Sequence, residues 1–314
     1  MKYLMMILLP ISLSGCTKQS VTKELEKKGY LISSFESAGF KQYKTIIQVI
    51  DTQGNMQDEV SFISKSDVSY NEMYDDANTL VLHGPGGLFF YYFEENKVKK
   101  IDDRTTLSFH MVDKDNYIYI KSTDINELIL VQNGVSKSIA TLDYYVGSIF
   151  MHGDRIYVMN INSGEVEDYF YDIFDFKGNL VERVKVREDG KFELLNGEFV
   201  ILAQTEVVYP LLDKTIDLSY EMSNTFAYAV NTKGDLKTFD SGIDDETCLY
   251  YNHDTKEEIE FGNCYRFSEH GDNIIYINTV DGIIKFNMEN LETTKVIEEY
   301  KELSGHEVFE YTLD

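Results

Sequence analysis

One short turn, repeated along the chain, constrains the fold more than any other feature of the sequence. It occurs as Val49-Ile50-Asp51-Thr52-Gln53-Gly54-Asn55-Met56, as Ile173-Phe174-Asp175-Phe176-Lys177-Gly178-Asn179-Leu180, and as Ala229-Val230-Asn231-Thr232-Lys233-Gly234-Asp235-Leu236. In each copy an Asp or Asn side chain can accept from the backbone two residues on, and the Gly can take the left-handed conformation that closes a tight connection. Apolar alternation flanks the turns, as in Asn179-Leu180-Val181-Glu182-Arg183-Val184-Lys185-Val186, and predicts antiparallel hairpins. Looser copies fall near Glu94-Glu95-Asn96, Asn133-Gly134 and Met288-Glu289-Asn290. The turn centres lie near 53, 95, 133, 177, 233 and 289. A second set runs out of phase with the first: His152-Gly153-Asp154, His270-Gly271-Asp272, Asp115-Asn116 and Gly197-Glu198 each put a turn before a strand. Two interleaved turn signals per period imply four strands per repeat.

A period of about 40 residues with four short strands resembles that of a β-propeller, whose blades pack radially because no blade buries its own face alone. The expected fold is all-β, with six blades of four antiparallel strands, or seven if the segment from Cys248 to Cys264 is a blade and not an inserted hairpin. A pair of β-sandwiches is the structural alternative. The clearest repeat spans residues 145–186. The stretch from His306 to Leu313 alternates like a strand and is expected to complete the first blade and lock the ring. With 23 Tyr and 19 Phe the composition favours strands, but Trp is absent, which departs from the WD, kelch, Asp-box and quinoprotein repeats.

The N-terminus carries a different signal. Lys2 precedes the apolar run Tyr3–Leu13, too short to span a bilayer and laid out as a secretory leader. Leu13-Ser14-Gly15-Cys16 resembles the bacterial lipobox, and the resemblance implies cleavage before Cys16 and acylation of its thiol. Residues 1–15 are then a lipoprotein signal peptide, 16–40 a lipidated N-terminus and tether, and 41–314 the propeller domain. Two or three acyl chains, palmitate among them, hold a protein on a membrane where a single chain is marginal. The expected location is the bacterial envelope. If the cell is Gram-negative, Thr17 beside the lipid site resembles an outer-membrane address, facing the periplasm or the cell surface.

Once Cys16 is assigned to lipid, Cys248 and Cys264 remain, an even pair placed symmetrically about Lys256 and flanking a turn-like Asn252–Glu258 segment, and a disulfide is expected between them. The formal net charge of −25 repels phosphate backbones, so nucleic acid is not expected as a partner; basic proteins fit better.

No enzymatic motif is complete. His83-Gly84-Pro85-Gly86-Gly87 resembles the glycine-rich oxyanion loop of α/β-hydrolases, yet no Gly-x-Ser-x-Gly elbow accompanies it, and turn chemistry is the better expectation. The six histidines show no metal-helix spacing, and the acidic clusters Asp113-Lys114-Asp115-Asn116 and Asp244-Asp245-Glu246 do not extend into a calcium loop, so no metal, cofactor or catalytic residue is assigned. In an up-and-down blade the connections between second and third strands share one end of the ring with the inter-blade connections. That places His83–Gly87, Ser122–Asn126, Asn162–Glu165 and segment 205–224 on one face. Within the last, Val207, Val208, Tyr209, Leu211 and Leu212 form the expected contact surface. The expected function is a lipid-anchored platform for another envelope protein; a binding module for a small molecule, glycan or peptide is the alternative, and an enzyme with acidic residues in the propeller channel is a third reading.

Overall fold

The computed structural model of the chain describes residues 28–74, 78–161, 169–187, 190–195, 197–203, 206–217, 228–232, 235–240, 247–252, 255–270, 274–279, 282–298 and 307–312. Every regular element among them is a β-strand, every pairing is antiparallel, and the sheets form a β-propeller.

The first sheet contains β1 (Lys28–Gly39), β2 (Gln42–Asp51) and β3 (Met56–Ser64), with the last strand, β27 (Glu307–Thr312), laid against β1. The second runs β4 (Tyr70–Tyr74), β5 (Thr79–Gly84), β6 (Gly87–Tyr92) and β7 (Lys97–Asp102). The third is β8 (Thr106–Asp113), β9 (Asn116–Ser122), β10 (Asn126–Gln132) and β11 (Val135–Leu142). The fourth is β12 (Tyr145–His152), β13 (Arg155–Ile161), β14 (Phe170–Asp175) and β15 (Leu180–Lys185). The fifth is β16 (Gly190–Leu195), β17 (Glu198–Ala203), β18 (Glu206–Tyr209) and β19 (Lys214–Asp217).

A sixth sheet has seven strands: β20 (Tyr228–Thr232), β21 (Asp235–Asp240), β22 (Thr247–Asn252), β23 (Glu258–His270), β24 (Ile274–Thr279), β25 (Gly282–Asn287) and β26 (Glu292–Glu298). Its long strand β23 serves two ladders. Residues up to Asn263 pair with β22, and residues from Cys264 pair with β24. The six sheets match the six expected, and the segment around the two cysteines is built into a ladder instead of hanging from one as an inserted hairpin. Sheets touch through β8 with β12, β12 with β16 and β23 with β27, which is radial packing and not the face-to-face packing of a sandwich pair.

The repeated turns close as their side chains predict. Asp51 accepts from the amides of Gln53 (2.9 Å) and Asn55 (2.8 Å), and Asp175 accepts from Lys177 and Asn179, both at 2.9 Å. Gly54 and Gly178 sit at φ 85° and 88°. The third copy includes residues 233–234, which lie outside the described residues. Its flanking strands, β20 and β21, are the first and second of their sheet, whereas the turns near 53, 95, 133 and 177 join third and fourth strands and that near 289 joins the last two of its sheet. Two further turns of that kind, β18–β19 and β22–β23, escape a search for glycine because Asp213 (φ 48°) and Lys256 (φ 64°) take the left-handed position instead.

Ring closure follows the expectation for the last stretch. β27 pairs with β1 from Lys28↔Thr312 to Ser33↔Glu307, and Phe309 packs into a core with Leu31, Ile47, Leu80 and Phe89. The domain boundary drawn at residue 41 moves, because β1 lies inside the first sheet: its alternating Tyr30-Leu31-Ile32 run is buried, and the sheet begins at Lys28 within the segment expected to be tether. The leader, Cys16 and the rest of residues 1–27 lie outside the described residues.

Cys248 and Cys264 form a disulfide with their Cα atoms 5.9 Å apart, inside the range a disulfide requires. The hairpin that carries it closes where the sequence places the turn. The Asn252 amide donates to the Glu257 carbonyl at 2.9 Å, and the Thr255 amide donates to Asn252 Oδ1 at 3.1 Å.

Candidate functional site in the central channel

Since the first strands of the ladders face the axis, titratable side chains on β4, β8 and β16 meet although they are far apart in sequence. β4 contributes Glu72 and Tyr74, with His83 behind them on β5; β8 contributes His110; β16 contributes Lys191 and Glu193. The Tyr74 hydroxyl donates to Glu72 Oε2 at 2.5 Å, and His83 Nε2 lies 3.7 Å from Glu72 Oε1. Lys191 Nζ pairs with Glu193 Oε2 at 3.1 Å. Water reaches the Glu72 side chain, which is 41% exposed, while the His83 side chain behind it is only 4% exposed.

These groups act on one another across the ring. Burial opposes ionisation of Glu72, but His83, Lys191 and the Tyr74 hydroxyl more than offset it and hold the carboxyl down to about 2. Burial pushes the Tyr74 hydroxyl well above its ordinary value, and Glu72 and Glu193 add to the effect. Burial holds His110 down to about 4 even though Glu72 and Glu193 pull the other way; Lys191 acts with burial. Geometry agrees for His110: the Met151 amide donates to its Nδ1 at 3.3 Å, so that nitrogen presents a lone pair and the ring is neutral.

His83 is the anomalous member. Its Nδ1 faces the Thr106 carbonyl at 3.4 Å, and since a carbonyl only accepts, Nδ1 carries the proton. Nε2 then points at Glu72 across a gap too long for a hydrogen bond, and it has no hydrogen-bond partner. The Tyr70 ring stacks on the imidazole at 5.3 Å and is itself half exposed. Among the described residues no group of His, Cys, Asp and Glu has the geometry of a metal site.

The fold is shared with known structures. The dihydro-heme d1 dehydrogenase NirN in complex with DHE superposes with a TM-score of 0.53 at 12% identity, over 84% of this chain and 63% of NirN, so this chain spans less than two thirds of that protein. Apo AztD from Citrobacter koseri gives a TM-score of 0.54 at 9% identity, over 91% of this chain and 99% of AztD, and a second AztD structure gives 0.55. No protein-family model matches the sequence, and no curated protein sequence matches it. At such identities the likeness concerns the fold alone.

The residues expected to form a contact surface divide into two groups. Val207 and Tyr209 belong to β18, with 0% and 4% exposure, and Val207 packs with Val200 and Leu202 of β17. Val208 is intermediate and packs toward Phe192 and Phe199. Leu211 and Leu212 stand exposed at the β18–β19 turn. The stretch was expected as a connection between second and third strands, yet Glu206–Tyr209 is itself an interior strand of a four-stranded sheet. Its end of the ring also differs: the β18–β19 turn joins third and fourth strands, opposite the end that carries Gly84–Gly87 and Ser122–Asn126. Asn162–Glu165, residues 218–224 and Asp244–Glu246 lie outside the described residues.

The His83–Gly87 segment is a turn, as expected from its composition. The Gly86 amide donates to the Asp67 carbonyl at 2.7 Å, and a Cβ on Gly86 would lie 2.3 Å from the Ser66 carbonyl oxygen, so the glycine permits close backbone packing and forms no anion hole. Glu72, Tyr74, His110, Lys191 and Glu193 carry no sequence motif. The available signal is weaker: each is a titratable residue on the first strand of a repeat.

Proposed function

We propose that this protein is an envelope lipoprotein, anchored through Cys16, whose propeller binds a small ligand in its central channel at Glu72, His83 and the groups facing them. The observation that supports the reading is His83 Nε2, buried and without a hydrogen bond beside a carboxylate that water reaches. Titratable groups from three sheets meet around that carboxylate, and such clusters are where a fold holds a polar ligand.

In this reading the anchor joins the ring at its first strand. Lys28 lies at the end of the ring where Gly29 pairs with Asp51 of the β2–β3 turn. A tether of residues 17–27 reaches about 40 Å at most, at roughly 3.5 Å per residue. The end bearing Gly84–Gly87 is the one opposite the tether's attachment.

The test is a thermal-unfolding screen of small polar molecules against the wild-type protein and a His83→Phe variant, which fills the ring's space without its lone pair. A ligand that raises the unfolding midpoint of the wild type and not of the variant supports the channel site. Hits that act equally on both place binding elsewhere. The platform reading retains one favourable observation, the exposed pair Leu211 and Leu212, and crosslinking in intact cells with Leu211→Ser and Leu212→Ser variants tests whether an envelope protein docks there.

A further inference from the structure

A cleft lies between the first and second sheets, at the end of the ring that carries the β1–β2 and β5–β6 turns. Gln42 enters it from the β1–β2 turn, Ile63 and Lys65 from the end of β3 and the connection after it, and Phe89, Lys100 and Asp103 from β6, β7 and the connection after β7. Its volume is about 180 Å³, room for roughly six waters at about 30 Å³ each, or for one small polyatomic anion with the first carbons attached to it.

The cations of this cleft are unspent. Lys65 and Lys100 are exposed and form no ion pair among the described residues, and the same holds for Lys97 and Lys99, which stand with Lys100 on the outer strand β7. With 54 acidic residues against 29 basic in the chain, lysines gathered without carboxylate partners are an exception, and their mutual repulsion is relieved by an anion. Asp103 also lines the cleft but pairs with neither lysine; its charge acts on Arg104, which is itself held by both oxygens of Asp102 at 2.9 Å. Lysines without a free arginine fork suit phosphate, which accepts point charges from several directions, better than the planar carboxylate that a guanidinium grips at two atoms.

The rest of the wall is apolar. Phe89 lies opposite Lys100 in the β6–β7 ladder, so the two side chains share one face of the sheet, and the Phe62 ring stacks on Phe89 at 4.3 Å. Ile63 is 53% exposed, and Phe40, in the turn two residues before Gln42, is 90% exposed. A carbon chain leaving a bound anion has this surface to follow.

We infer that the cleft binds a phosphate group carried on an apolar stem, with the phosphate between Lys65 and Lys100 and the stem against Phe89 and Ile63. The site is separate from the channel, and either can fail without the other. A soluble phosphate ester and a phospholipid headgroup share this chemistry.

The test follows the backbone amides of Lys65 and Lys100 by NMR on the isotopically labelled full chain at neutral pH, as hexyl phosphate, hexanol or inorganic phosphate is added. Hexyl phosphate is expected to shift these amides at the lowest concentration, inorganic phosphate at a higher one, and hexanol not to shift them. Lys65→Gln and Lys100→Gln, both at exposed positions, are each expected to weaken hexyl phosphate about fivefold, the upper end for exposed charge pairs. Lys137→Gln, exposed on the third sheet and outside the cleft, is expected to leave binding unchanged, which separates contact from net charge. Sedimentation with phosphatidylcholine vesicles, with and without phosphatidic acid, assigns the source. Binding that requires phosphatidic acid and weakens in Lys100→Gln supports a lipid headgroup, and binding of hexyl phosphate without the vesicles supports a soluble ester. Failure of hexyl phosphate to bind overturns the inference, as does equal binding of hexanol or of inorganic phosphate, or undiminished binding by a folded protein carrying both Lys65→Gln and Lys100→Gln.

Discussion

Acidification should weaken this fold through His110 in a way that one substitution isolates. His110 is held down to about 4 from an ordinary 6.5, by burial first and by Lys191, against the pull of Glu72 and Glu193. An unfolded chain takes up that proton near pH 6.5, whereas the folded one refuses it until about pH 4. Stability is therefore intact above about pH 6.5, falls as pH drops through the interval, and levels off below about 4. At 1.36 kcal/mol per pH unit, the interval is worth about 3 kcal/mol. His110→Asn is the matched perturbation: its Oδ1 can still accept the Met151 amide, and it does not titrate. Urea unfolding at a series of pH values should show the wild type losing about 3 kcal/mol relative to the variant between pH 6.5 and 4, with the other carboxylates cancelling because both proteins carry them. Parallel curves for the two proteins would refute the argument, as would an NMR titration of the His110 ring centred near 6.5.

Other consequences are direct. Gly54 and Gly178 occupy the same turn with nearly the same φ, but a Cβ on Gly54 meets nothing within 4 Å whereas one on Gly178 would lie 1.9 Å from the Ile139 carbonyl oxygen. Gly54→Ala should cost about 1–2 kcal/mol of left-handed strain in thermal unfolding, and Gly178→Ala at least twice that, since backbone must also move. Replacing Cys248 and Cys264 together by Ser should cost about 3 kcal/mol for a loop of sequence separation 16, and mass spectrometry of unreduced protein should find the two cysteine peptides linked. Phe309→Ala, by removing a buried ring from the closing strand, should cost about 3–5 kcal/mol and raise amide exchange in Tyr30–Ile32 more than in β14 or β17.

The ring was legible because its cues are local. The Asp51 and Asp175 turns are specified within five residues each, and alternation marks the strands on either side. The shared strand β23 was not legible as one strand, because Gly262-Asn263 interrupts the alternation of Ile259 and Phe261 where pairing passes from β22 to β24, yet the strand runs on through it with Gly262 at φ 57°. The interior strand β18 was not legible either, because its four residues, Glu206–Tyr209, are too few to show a strand's alternation. The channel site was invisible for a further reason: Glu72, His110 and Glu193 stand on three different sheets, and only closure of the ring brings their charges into range.

What singles out that place is a comparison inside the molecule. Where the second and third sheets meet, Phe90, Phe109 and Tyr117 fill the space, and where the fourth meets the fifth, Phe150, Tyr157, Phe192 and Phe199 do. This chain has an apolar solution for packing one sheet on the next and uses it repeatedly. The buried carboxylates Asp172 and Asp102 are closed by hydrogen bonds. Asp172 accepts from Arg183 at 2.7 and 2.8 Å and from the Tyr144 hydroxyl at 2.9 Å, and Asp102 accepts from Arg104 twice at 2.9 Å and from Tyr119. Stability alone would favour the same treatment at Glu72 and His83, either apolar filling or a closed set of hydrogen bonds. Instead the chain gathers Glu72, Tyr74, His83, His110 and Glu193 at the axis, with a carboxylate that water reaches and a histidine held neutral near it, and a polar ligand would find partners there.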